Sequence, residues 1–393
     1  MIDVDEAQAR LLALANPLPA RSLFLVDAVA HYLAEDVVAR RTQPAADLSA
    51  MDGYAIKFAD LPGPWRVVGE SAAGLPYVGA MSAGEAIRIF TGAHVPVGAD
   101  SILIQEEATP TGDMLRLTGQ GPPSIGAHIR RAGDDFASGN HLLEKGDLLN
   151  AGRVAVAAMA GYGALNVGGR PRVTILASGS ELIGPGSECS EAQIPSSNSV
   201  MLSAMLAPFP CDVVDGGIVA DDLAALETAL SVAAKTSDVI VTSGGASVGD
   251  HDLVQVALVN VGAEIDFWKV AMRPGKPMMA GRLGHAIVLG LPGNPSSAYA
   301  TAFLFLLPLV RQLAGCKSPL PTVRTGILKD DLPAGGARTD YLRAREENNI
   351  ISVIYKQDSG MLFPLLQANA LLINTANTPS RSAASIAQYL PLD

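Results

Sequence analysis

Cysteine, histidine pairs and positive charge are all scarce in this chain. Only Cys189, Cys211 and Cys316 are present, an odd number with no CxxC or CxxH spacing. That excludes a disulfide scaffold and a structural zinc site, and fits a reducing compartment. The six histidines, His31, His94, His128, His141, His251 and His285, are scattered, and none forms HExxH. No GxxxxGK[ST] loop and no GxGxxG fingerprint occurs, which argues against an ordinary ATPase and a dinucleotide oxidoreductase. With 28 Lys+Arg against 39 Asp+Glu the formal charge is −11, so nucleic acid is not the expected partner. An anionic substrate would need a local basic island.

No long hydrophobic run is present either. Residues 286–310 carry no formal charge, but GLPGNPSS occupies their first part. About 13 apolar residues remain where a membrane span needs roughly 20. The segment reads as a buried helix. The N-terminal MIDVDEAQARLLALANP is acidic where a signal peptide is basic. A cytoplasmic protein without a membrane is the expectation.

The 393 residues are 49% hydrophobic and 17% charged, enough for two to four domains with real cores. Apolar spacing predicts helices over 3–16 and 24–40. From about 42 to 140 short apolar runs (IRIF, SILIQ, MLRL) are separated by Gly and Pro turns, the texture of an all-β module. AGRVAVAAMA (151–160) reads as helix and 161–171 as a domain junction.

Between 172 and about 315 strands alternate with helices. RVTILAS, DVIVTSGG and AIVLGLPG are unbroken apolar strands, and helices are predicted at 198–207 (capped by Asn198 or Ser199), 222–234, 250–261 and 296–313. This is the pattern of a parallel sheet covered on both faces. After Pro319 and Pro321 short strands return (TVRTGIL, YLRAR, ISVIY, ALLIN) as a second β module.

Ligands of parallel α/β sheets bind beyond the carboxyl ends of the strands. Three such ends carry loops rich in Gly, Ser and Pro: ASGSELIGPG (177–186), TSGGASVGDHD (242–252) and LPGNPSS (291–297). Backbone N–H groups at helix starts of this kind cradle phosphates and other oxyanions. Lys269, Arg273 and Lys276 crowd into FWKVAMRPGKP, a loop broken by Pro274-Gly275. Glu181, Asp250 and Asp252 face them from the strand-end loops. Carboxylates beside a phosphate loop suit Mg²⁺, although Asp250 also reads as a helix cap.

Six blocks occur in order: MDGYA (51–55), TGAHVPVGAD (91–100), SGSEL with PG (178–186), TSGGASVGDHD (242–252), RPGKP (273–277) and LPGNPSS (291–297). Together with RTDYLRAR (338–345) and GMLFPLLQANALL (360–372) they resemble the MoeA/gephyrin family of molybdopterin molybdenumtransferases over nearly the whole chain. The resemblance implies a multidomain α/β plus β chain: a helical/linker domain (1–43 and 141–168), an inserted β-rich domain (44–140), a MogA/MoaB-like three-layer α/β domain (169–315) and a C-terminal β-barrel (316–393). It implies a homodimer whose site lies between the α/β domain of one subunit and the inserted domain of the other. The implied reaction inserts molybdate into adenylylated molybdopterin with Mg²⁺-dependent release of AMP, with other molybdenum cofactor biosynthesis proteins as further partners.

By motif position, the catalytic set is Asp52, Thr91, Glu181, Asp252, Lys269, Arg273 and Lys276. Substrate contacts fall to Ser297, Pro292, Pro295, Gly244, Gly245, Ser247 and Asp221, and the metal ligands are Glu181 and Asp252. The chain departs from the family pattern at Ser180, where an acid is usual, and at Arg273, often Lys. Three other readings compete. A receptor-clustering scaffold of gephyrin type is expected to have a further N-terminal domain and a long linker. The adenylylating partner reaction needs only the α/β domain, and a CinA-like amidohydrolase should lack MDGYA and TGAHVPVGAD.

Overall fold

A computed structural model describes residues 1–244 and 253–392. The apolar runs singled out above build three of the six strands of its central sheet. The sheet order is Asp212–Val219, Arg172–Ser178, Val239–Ser243, Ala286–Leu291, Met279–Leu283 and Glu264–Trp268. The first four are parallel. Val239–Ser243 and Ala286–Leu291 are buried at every position, as strands covered on both faces must be.

The last two strands correct the all-parallel expectation, since each runs antiparallel to its neighbour. The reason is local: Leu283 pairs with Ala286, leaving Gly284-His285 as a two-residue turn with Gly284 at φ +62°. Such a turn joins antiparallel strands only.

Helices cover both faces and give three layers. On one face Leu202 and Leu206 pack with the helical run 295–313 and with Val4 and Leu11 of the N-terminal helix Val4–Ala13. On the other, helices Leu223–Ala233 and Leu253–Asn260 bury Leu226, Leu230, Val254 and Leu258. The uncharged segment 286–310 is therefore strand plus core helix. Among the described residues no helix is long and apolar enough to cross a membrane.

The β-rich texture of 42–140 becomes a six-stranded sheet containing Gly53–Ile56, Trp65–Ser71, Glu85–Ile89, Ser101–Ile104, Ala108–Thr111 and Met114–Leu117. At the other end of the chain, Thr339–Glu347, Ile350–Val353, Arg324–Leu328, Ile386–Pro391 and Ala370–Asn374 pair in turn. Ala370–Asn374 pairs back onto the first strand, closing a five-stranded barrel. Met272–Arg273 of the basic loop adds onto Thr339–Asp340 in parallel and ties the barrel to the α/β layers.

The helix expected over 24–40 does not form. Arg21–Phe24 is a strand paired with Ala164–Val167, and Val37–Val38 pairs with His141–Leu143. Ala28, Leu33 and Val37 are buried all the same, against Leu149, Leu165 and Val167. Strand partners satisfied this backbone, so tertiary pairing overrode the apolar spacing. The expected helix at 151–160 does form, as Ala151–Met159, and Asn150 caps it by accepting from the Arg153 N–H at 3.0 Å.

His31 is buried in this linker region at 6% exposure. Its Nε2 lies 3.0 Å from Arg21 Nη2 and its Nδ1 lies 3.1 Å from the Val29 carbonyl. Arginine only donates, so Nε2 accepts, Nδ1–H donates to Val29 and the ring is neutral. Burial, helped by the Arg21 and Arg170 charges, pushes its pKa below the ordinary value. The unfolded chain titrates near about 6.5, so below that pH the unfolded state binds more protons and the fold weakens. The contribution is complete above that pH and is lost as pH falls toward the folded-state pKa, at no more than about 1.4 kcal/mol per pH unit. We expect a melting temperature that declines from pH 7.5 to 5.5, with a shallower decline in His31→Gln.

Candidate active site

Three strand-end loops, the basic loop and one edge of the barrel surround a cleft of about 1210 Å³. Its lining includes Glu181, Asp221, Gly244, Arg273, Lys276, Pro292, Pro295 and Ser297. The structure thus brings together eight residues that the sequence spread over more than a hundred positions.

In the first loop Asp221 accepts from Ser178 Oγ at 3.1 Å and from the Ser180 N–H at 3.0 Å, while its own N–H donates to Ser180 Oγ at 3.1 Å. Helix capping falls instead to Asp222, which accepts from the Ala225 N–H at 2.8 Å. Both Asp221 oxygens are therefore engaged in clamping the loop. The Glu181 carboxylate lies over Gly179, where an added Cβ would sit 2.6 Å from Oε2. It accepts no hydrogen bond among the described residues, so its oxygens remain available to a ligand.

Gly244 ends the second strand at φ +95°, and a Cβ there would come within 2.3 Å of the Ser178 carbonyl oxygen. Only glycine permits the first two loops to approach this closely. Asn198 or Ser199 was expected to cap a helix. The helix Ser197–Leu206 instead begins after Ser196, and Asn198 Nδ2 donates to Ser243 Oγ at 2.8 Å and to the Gly293 carbonyl at 2.7 Å. One side chain in the first helical turn thus joins the second loop to the third. Asn198 Oδ1 is buried with no hydrogen-bond partner among the described residues.

Pro295 occupies the first turn of helix Pro295–Thr301, where its missing N–H costs nothing. Ser297 is 5% exposed on that turn. The basic loop is seated on the same helix: a Cβ at Gly275, whose φ is +107°, would lie 2.5 Å from Thr301 Cγ2. Gly275→Ala should combine backbone strain with overpacking and destabilise the fold by about 2–4 kcal/mol. Chemical denaturation would measure it, and a loss below about 0.5 kcal/mol would contradict the tight seating.

Arg273 Nη2 makes an ion pair with Asp340 Oδ2 at 2.7 Å; the aspartate side chain is 8% exposed and the arginine 60%. Lys276 is exposed and forms no ion pair among the described residues. Lys269 lies outside the lining, with Nζ 4.5 Å from the Trp268 ring centroid. Arg338, Gln357 and Ser359 line the cleft from the barrel side, and sequence reasoning missed all three. RTDYLRAR held the signal for Arg338, a cation two residues from the acid that pairs with Arg273. Among the described residues the charged lining is Arg273, Lys276 and Arg338 against Glu181 and Asp221.

Asp52 and Thr91 are held together in the inserted β sheet, away from the cleft lining. The Thr91 N–H and Oγ1 donate to Asp52 Oδ1 at 2.7 and 2.9 Å. The backbone bond, then the hydroxyl, hold the Asp52 carboxyl below the usual carboxylate range. Gly245, Ser247 and Asp252, with Asp250, lie outside the described residues. Among those described, no group of three or more His, Cys, Asp or Glu is placed to hold a metal ion.

Three family profiles match this chain in order. They are the MoeA N-terminal region (domain I and II) over residues 2–161, a probable molybdopterin binding domain over 174–312, and the MoeA C-terminal region (domain IV) over 325–392. A molybdopterin molybdenumtransferase of Haemophilus influenzae is 32% identical over 382 residues, 95% of this chain and 94% of that one. A Nostoc protein of the same name is 32% identical, covering 84% of this chain and 79% of its own. The fold matches a molybdopterin biosynthesis moeA protein from Pyrococcus horikoshii OT3 with a TM-score of 0.85 at 27% identity, over the whole of both chains. With the cleft, the sheet and the barrel arranged as they are, the chain belongs to the MoeA family of molybdopterin molybdenumtransferases.

Proposed function

We infer that this enzyme of molybdenum cofactor biosynthesis binds molybdate and adenylylated molybdopterin in the 1210 Å³ cleft and releases AMP as molybdenum is inserted. The observation carrying this reading is the convergence of Lys276, Arg273 and Arg338 on the helix start that bears Ser297. A tetrahedral dianion and a phosphoanhydride both need fixed cations and N–H donors. Lys276 supplies an ammonium that forms no ion pair among the described residues. Arg273 is anchored through one nitrogen, which leaves the rest of its fork for an oxyanion. Buried Ser297 presents a hydroxyl beside backbone N–H groups of the first turn.

The donor set fits Mg²⁺ in part. Glu181 offers a carboxylate with no competing hydrogen bond among the described residues, whereas Asp221 has both oxygens occupied. Glu181 together with Asp252 would hold the ion, which when bound neutralises phosphate oxygens as charge develops on the leaving AMP. We place the domain divisions at 1–43 with 141–168, 44–140, 169–315 and 316–393. We further propose a cytoplasmic homodimer in which the partner's inserted domain completes the site, because Asp52 and Thr91 do not line the cleft of their own chain. Incubation with adenylylated molybdopterin, Mg²⁺ and graded molybdate tests the reading. AMP release that tracks molybdate uptake supports it, and release without molybdenum transfer overturns it.

A further inference from the structure

Arg343 is 4% exposed, yet none of the ion pairs among the described residues includes it. Its guanidinium instead satisfies a set of neutral oxygens. Nη1 donates to Ser296 Oγ and to the Met361 carbonyl, and Nη2 to the carbonyls of Lys356 and Asp358, the last two at 2.9 Å. The Asp358 carboxylate makes no ion pair with Arg343 and accepts the Gly360 N–H at 2.7 Å. A buried cation with no carboxylate partner is costly unless its hydrogen bonds are made, and here they all go to one segment and one hydroxyl.

That segment is the barrel's contribution to the cleft. Gln357, Ser359, Gly360 and Leu362 line it, and residues 354–362 have no helix or strand of their own. The segment also meets the third strand-end loop directly: the Ser296 N–H donates to the Ser359 carbonyl at 3.0 Å and Asn294 Nδ2 donates to Ser359 Oγ at 3.0 Å. Gln357 locks the Arg343 backbone in return, accepting from its N–H at 3.1 Å and donating to its carbonyl at 2.9 Å. We propose that Arg343 is a positioning residue that fixes the wall 356–362 against the start of the Ser297 helix, and so sets oxyanion affinity without touching the oxyanion. The affinity part rests on the reading of the cleft as the molybdate site.

Arginine is required by geometry. Its planar fork carries five donors and reaches acceptors on two sides, whereas a lysine has three donors on a single atom. The test compares Arg343→Met, Arg343→Lys and the milder Ser296→Ala in the full chain, at a temperature where each is folded by circular dichroism. Native-state trypsin cleavage after Lys356 reports the wall, and the molybdate titration of AMP release reports its consequence. In Arg343→Met we expect cleavage at Lys356 to accelerate about tenfold or more, and half-saturating molybdate to rise about tenfold. The rate at saturating molybdate should stay within about threefold of the unmodified enzyme. Arg343→Lys should fall between. If Arg343→Met does not fold, faster Lys356 cleavage with weaker molybdate binding in Arg343→Lys and Ser296→Ala carries the same support.

Unchanged Lys356 cleavage in folded variants overturns the proposal, and so does faster cleavage with a normal molybdate titration. A loss confined to the saturated rate overturns it too. If the unmodified chain shows no molybdate-dependent turnover, the functional reading fails instead. The cleavage rates then still decide whether Arg343 holds the wall.

Discussion

Lys276→Ala should raise the molybdate concentration for half-maximal AMP release by about 10- to 150-fold while leaving the melting temperature nearly unchanged. A charge-assisted contact to an oxyanion is worth about 1.5–3 kcal/mol, which converts to that range. The small effect on stability follows from the structure, because Lys276 is exposed and has no ion-pair partner among the described residues to orphan. Arg273→Ala should weaken molybdate in the same direction but also lower the melting temperature. Its removal strands Asp340, only 8% exposed, without the one cation it pairs with among the described residues. Since the arginine itself is 60% exposed, the stability loss is discounted from the buried-pair range to about 1–2 kcal/mol. Arg273→Lys keeps the charge and should spare most of both. A normal molybdate titration in Lys276→Ala and Arg273→Ala alike would move the anion site elsewhere.

The contrast between these two cations marks how far the sequence could be read. RPGKP announced a basic turn, because Pro and Gly break a helix face and leave both side chains on a loop. Nothing local announced Asp340, since its contact with Arg273 depends on a barrel strand pairing with Met272–Arg273 from 67 residues away. The same limit hid Arg338 and Ser359, which reach the cleft only once the barrel is docked on the α/β layers. Unbroken apolar strands were legible because burial on both faces leaves no alternation to mistake. The segment 24–40 misled for the converse reason: its apolar spacing suits a helix, but Arg21–Phe24 found a strand partner in Ala164–Val167, more than a hundred residues on. In GIVADD either aspartate could cap, and only the structure separates Asp222 on the helix from Asp221 on the loop.

At a molybdate concentration too low for Lys276→Ala to turn over, mixing Lys276→Ala subunits with inactive Asp52→Ala subunits should restore activity to about a quarter of the unmodified sites, which is the largest recovery a shared site permits. The expectation starts from the inserted sheet. Asp52, just before strand Gly53–Ile56, is held ionised by the N–H and hydroxyl of Thr91, which follows strand Glu85–Ile89. A carboxylate kept charged at a surface, with both donors spent on one oxygen, retains Oδ2 for something outside its own sheet. Within one chain it does not line the cleft, whose charged groups among the described residues come from the α/β layers and the barrel. If the partner's inserted domain supplies Asp52, a mixed dimer carries one site with both changes and one with neither. Half of randomly paired dimers are mixed, and half of their sites are intact. A site confined to one chain would predict no recovery, because every subunit would then carry a defect in its own site. Subunit exchange verified by mass, followed by no AMP release above that of the separate variants, would count against the shared site.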